Sequence, residues 1–134
     1  MSRILGLDIG DVRVGVALSD ASGTLATPFA TFERGGGAAE SEILALISRE
    51  GITTVVAGLP LSEAGAETEQ SSKIRSFCRR LERRAKIEIT LVDEYLSTVE
   101  AWEIVAESKK SRSHKKGKID AVSAALILQT YLDS

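Results

Sequence analysis

The sequence predicts an α/β fold: a mixed β-sheet with helices on both faces. Three observations predict it. Strand-like segments separated by short turns come first, at residues 2–9, 12–19 and 24–32. Beyond residue 38, helical periodicity and short β-branched runs alternate. The first of those later runs, TTVVA, has the look of a buried parallel strand. The order β-β-β-α-β-α-β-α-α is a meander followed by alternating α/β units, with no repeat or boundary dividing the chain, so one domain over residues 1–134 is expected.

Each element has a local reason. Gly10-Asp11 is a tight-turn pair between the first two strands, and Ala21-Ser22-Gly23 is a second turn. The stretch ERGGG, residues 33–37, reads as a connector, because its glycines lack the spacing of a phosphate-binding loop. Residues 39–50 form a helix with Ile43, Leu44, Leu46 and Ile47 on its apolar side. TTVVA, residues 53–57, is a buried strand, and GLPLSEAG, residues 58–65, is a loop. A long helix begins near Glu67. Its apolar face is Ile74, Phe77, Cys78, Leu81 and Ala85, so Cys78 reads as core. EITLV, residues 88–92, is a strand, and residues 97–107 form a helix capped by Ser97. Residues 108–118 read as a basic polar loop, and residues 119–132 as a buried helix.

Composition narrows the function. Cys78 and His114 are the only residues of their kinds, which excludes a structural disulfide and the usual zinc sites. No apolar run approaches the ~18 residues of a membrane span, and the N-terminus lacks the pattern of a signal peptide, so a cytoplasmic location is expected. The net charge of −2 hides an asymmetry: residues 1–69 carry −6 and residues 70–134 carry +4. The basic residues gather in KIRSFCRRLERRAK and in SKKSRSHKKGK, the pattern of a polyanion-facing side.

The acidic residues carry the chemistry. Asp8 sits inside the apolar strand LGLDIG. With a two-residue turn at Gly10-Asp11, Asp8 faces Arg13 and Gly6 faces Gly15, all four on one face of the sheet. Asp8 is then either the partner of Arg13 in a cross-strand ion pair or part of a site, with the glycines opening room for something large to approach. Asp93 and Glu94 close a strand, where α/β folds place ligands. Asp120 precedes an apolar run, where it could also serve as a helix cap worth ~1 kcal/mol. If these carboxylates converge, their repulsion calls for a divalent cation, and oxygen ligands favour Mg²⁺ or Mn²⁺. Two such ions can drive phosphodiester cleavage without histidine or cysteine.

The motifs LGLDIGDVRVGVALSD, VVAGLPLSEAG with Gln70 beyond it, VDEYLST and IDAVSAALILQTYL occur in the order of the YqgF/RuvX family. The chain resembles that family over nearly its whole length. The resemblance implies an RNase H-like fold, with a five-stranded mixed sheet whose first three strands are antiparallel. It implies a metal-dependent nuclease, similar to Holliday-junction resolvases and described as acting on pre-16S rRNA. Asp8, Glu94 and Asp120 would be the catalytic and metal-binding carboxylates, with Asp93 as a fourth ligand. Arg13 and the basic segment, Lys109, Lys110, Arg112, Lys115, Lys116 and Lys118, would face nucleic acid. Tyr95 stands where the family usually has arginine, and can stack on a base or donate a hydrogen bond instead.

The expected partner is pre-rRNA or branched DNA, bound by a monomer or a homodimer. A non-catalytic ribosome-assembly factor uses the same basic patch and treats the acids as structural. A nucleotide-binding ATPase would need two such domains around one nucleotide.

Overall fold

A computed structural model of the chain describes residues 3–60, 67–93 and 115–134, the side chains of 115–119 excepted. Five strands form one sheet: β1 (Ile4–Ile9), β2 (Arg13–Ser19), β3 (Ala26–Glu33), β4 (Thr54–Leu59) and β5 (Ile89–Asp93). Among the described residues three α-helices flank it: α1 (Ala38–Glu50), α2 (Glu69–Ala85) and α3 (Lys115–Asp133). The strand order is β3-β2-β1-β4-β5. β1, β2 and β3 pair antiparallel, while β4 pairs parallel with β1 and with β5. The expected mixed sheet is therefore present. The helix expected over residues 97–107 lies outside the described residues.

Strand alternation divides the molecule into two cores. Leu5, Leu7, Ile9, Val14, Val16, Leu18, Val55, Ala57 and Leu59 point to one face and pack against α1 and α2 through Ile43, Leu46, Ile74, Phe77 and Leu81. On the other face Ala17 and Val56 meet Ala124, Ala125, Ile127 and Leu128 of α3. α2 starts at a capping box: the Thr68 hydroxyl accepts from the Ser71 N–H at 3.2 Å, and the Ser71 hydroxyl accepts from the Thr68 N–H at 2.6 Å. α1 ends at Gly51, in the left-handed conformation with φ 64°. β3 is an edge strand carrying Pro28 beside an irregularity in its pairing with β2, a place where a residue without an N–H is tolerated.

Three expectations are corrected. The β1–β2 turn falls one residue later, at Asp11-Val12, with the Gly10 N–H donating to the Arg13 carbonyl at 2.9 Å. Asp8 consequently pairs with Gly15, and Gly6 with Ala17. Moving the turn by one shifts each partner by two, so every side chain keeps its expected face. The final helix begins at Lys115, so Lys115, Lys116 and Lys118 belong to it and not to a loop. Asp120 then lies inside the helix and is not its cap. Gly58 and Leu59 extend β4.

Candidate active site

The glycines explain how the site is assembled. A Cβ on Gly15 would stand 2.0 Å from the Asp120 carbonyl oxygen and 2.3 Å from its carbon. A Cβ on Gly6 would meet the Leu128 Cβ at 2.7 Å and the Ala124 carbonyl oxygen at 3.0 Å. The room above the two glycines is thus filled by α3 itself. No residue other than glycine lets the helix backbone lie this close to the strands. Since Gly15 is the direct partner of Asp8 across the ladder, the contact sets the Asp120 backbone beside Asp8, on the same face.

Arg13 fastens that arrangement. Its Nε donates to Asp120 Oδ2 at 3.1 Å, a bond spanning 107 residues of sequence. Both side chains are about a quarter exposed, at 27% and 28%. The guanidinium expected opposite Asp8 therefore engages Asp120, and the reason is the two-residue shift in register. Asp8 is half-buried, at the carboxyl end of β1.

Asp93 goes elsewhere. It pairs with Leu59, and it shares the parity of Ile89 and Leu91, which pack on the α1/α2 core. Alternation thus directs Asp93 to the face opposite Asp8. Glu94, Tyr95, Lys109, Lys110 and Arg112 lie outside the described residues, as do the side chains of Lys115, Lys116 and Lys118. Among the described residues, no three Asp, Glu, His or Cys side chains form a group able to hold a metal ion. Asp8 and Asp120 offer only carboxylate oxygens, a donor chemistry that suits a hard divalent cation. Cys78 contributes nothing to such a site. It is buried on the core side of α2, and burial pushes its thiol up to about 12.

A strand carboxylate and a helix carboxylate, brought together by a glycine contact, lie within a five-stranded sheet of this order. The RuvX family model, described as Holliday junction resolvase, matches residues 2–134. The chain belongs to the RuvX family. The family's members are nucleases, hydrolases acting on phosphodiester bonds. Relatives from Clostridium botulinum and Fusobacterium nucleatum, both called "Putative pre-16S rRNA nuclease", are each 41% identical to this chain. The first match covers 98% of this chain and 97% of the relative, the second 99% and 98%. The structure of Thermus thermophilus RuvC in complex with Holliday junction substrate superposes with a TM-score of 0.60 at 10% identity, covering 100% of this chain and 98% of that one. A further Thermus thermophilus RuvC structure gives 0.57 at 11%, covering 98% and 96%. That likeness is one of fold, and it makes the fold RNase H-like.

Reasoning from sequence missed what the glycines do. The signal was available: two glycines on one face of a central strand pair are as consistent with a close helix as with an open substrate gap.

Proposed function

We propose that this protein is a nuclease that hydrolyses phosphodiester bonds in structured nucleic acid, with pre-16S rRNA as its substrate in the cytoplasm. One observation carries the reading. α3 rests on Gly15, directly across the ladder from Asp8, and brings a second carboxylate to that strand's only acidic position. The contact is made by the Asp120 backbone, and it sets that residue on the same face as Asp8.

Asp8, Asp120 and Glu94 would hold Mg²⁺ or Mn²⁺, while Asp93 lies on the α1/α2 face of the sheet. When bound, such ions activate water and stabilise the departing oxygen. The chain's own residues do the rest. Asp8 is fixed by β1, and Asp120 by the seating of α3. The Arg13 guanidinium holds Asp120 in one orientation and lowers the repulsion between the carboxylates. The Lys and Arg residues over 109–118 and Tyr95 would meet the substrate around this pair. The chain acts as one nuclease domain over residues 1–134.

The test is cleavage by the wild type and Asp8→Asn, side by side. End-labelled pre-rRNA leader, single-stranded DNA and a four-way junction would each be incubated with Mg²⁺, Mn²⁺ or EDTA. Metal-dependent cutting of the leader, lost in a folded Asp8→Asn, is the expected result. Preference for the junction would assign a resolvase role instead, and that role requires two sites and hence a symmetric dimer. Equal cutting by both proteins would overturn the reading.

A further inference from the structure

Around the β1–β2 turn from Asp8 lies a cleft of about 610 Å³, lined by Asp11, Arg34, Gly35, Lys73, Ser76 and Arg80. Three of the six are cations and one is a carboxylate. Lys73, Ser76 and Arg80 stand at i, i+3 and i+7 on α2 and so project along one stripe. Arg34 follows β3, and its guanidinium is held from two sides. Nη1 donates to the Gly10 carbonyl at 2.7 Å, and Cζ lies 4.9 Å from the centre of the Phe77 ring. Neither partner bears a charge. Among the described residues, no carboxylate pairs with Arg34 or Lys73. Arg80 lies 5.7 Å from the same ring and pairs at 3.7 Å with Glu40, which also takes Arg84 at 3.4 Å.

Packing accounts for part of this. Arg34 ties the hairpin tip to α2 through Phe77. Packing does not require Lys73 beside Arg34 and Arg80, and these three cations outnumber the carboxylates at the hollow, Asp11 in its wall and Glu40 paired with Arg80. The cleft also indicates which anion. Phe77 is 1% exposed and lies under two guanidinium groups, so no aromatic face is offered to a base. A phosphate, held by charge and hydrogen bonds alone, suits such a surface.

Arg34 binds Gly10, two residues past Asp8 and so within about 7 Å along the strand. Asp8 nevertheless faces α3, whereas the α2 residues of the cleft belong to the opposite side. The hairpin tip stands between the two positions.

We propose that this cleft is a second nucleic-acid contact, gripping the backbone phosphate of a substrate segment that passes on the far side of the hairpin tip from Asp8. The proposal rests on the nuclease reading and extends it. A folded or branched nucleic acid straddles the tip and fills both positions, while a short single strand fills only the one at Asp8.

The experiment is fluorescence anisotropy in EDTA, which prevents cutting, across a salt titration. The probes are a stem-loop RNA, a four-way DNA junction and a six-nucleotide single strand. The variants are Lys73→Glu and Ser76→Asp, both at exposed positions on α2 where the fold is not at stake. Each is expected to weaken binding of the folded probes at least about threefold and to lower the salt slope by about one, leaving the short strand unchanged. Unchanged affinity and slope on the folded probes would overturn the proposal, as would equal losses on all three. Weaker binding by the variants of a protein that cuts nothing would uphold the cleft and remove the nuclease reading. Cutting by a protein whose binding ignores both substitutions would do the reverse, and absence of binding to every probe would overturn both.

Discussion

The two faces of the sheet are built by opposite rules. Toward α1 and α2 the strands present Leu, Ile and Val, and the fully buried Phe77, Ile74, Leu81 and Leu46 fill the space between layers. Toward α3 they present Gly6, Asp8, Gly15 and Ala17, and the helix replies with Ala121, Ala124 and Ala125. The first face separates its layers with bulky side chains, and its energy comes from the apolar area it buries. The second brings backbones together, and what it gains is position: Asp120 arrives beside Asp8. The α3 face also buries Val56, Ile127 and Leu128, so it too holds the fold together, and the proposed chemistry falls on this side alone.

Substitutions on each face can break or sharpen that contrast. The largest effect is expected for Gly15→Ala. The added methyl meets the Asp120 backbone at 2.0 Å, and neither strand nor helix can yield cheaply. A loss of about 3 kcal/mol or more, the upper end for overpacking, is expected in urea unfolding, together with loss of cleavage in whatever fraction stays folded. Leu81→Ala on the opposite face should also cost about 3 kcal/mol, through a cavity, while the folded enzyme still cuts. Equal loss of activity per unit of stability in the two variants would erase the distinction between the faces.

Arg13→Gln is the milder probe of the second face. Its ion pair with Asp120 is partly exposed, so stability should fall by no more than about 1 kcal/mol. Cleavage should fall much further, because Asp120 loses its orientation. A fall in cleavage that merely tracks stability would make Arg13 a packing residue. The smallest effect concerns the first face: Cys78 should resist alkylation at pH 8 in the native protein. With its thiol at about 12, the protonated form persists across that range, and reaction should proceed only as the protein opens. Rapid labelling would mean that this core is looser than its burial implies.

Much of this was legible in the sequence, and each miss has a physical cause. Strand and helix periods gave the element order, because burial on two faces dictates both. The faces of Asp8, Arg13, Gly6 and Gly15 were also legible, since a shift of two preserves parity. The partner of Arg13 was not, because turn position depends on backbone contacts such as the one Gly10 makes to Arg13. Lys115 to Lys118 looked like loop because they are polar, although Lys is itself a good helix former. Asp93 looked like a partner of Asp8 because it closes a strand, but strand alternation turns it to the opposite face. The cleft was invisible because Arg34 sits in a glycine-rich connector, far in sequence from α2.

The contact between Gly15 and α3 also sets an order of events. β1 and β2 are made early in synthesis and can close their hairpin locally. Arg13 must then wait for a partner 107 residues further along. Such distant pairings are the slow ones. Until α3 is made and seated, the hairpin carries Asp8 without Asp120. On the proposed reading, a nascent chain therefore holds half of the site, and docking of the helix completes it.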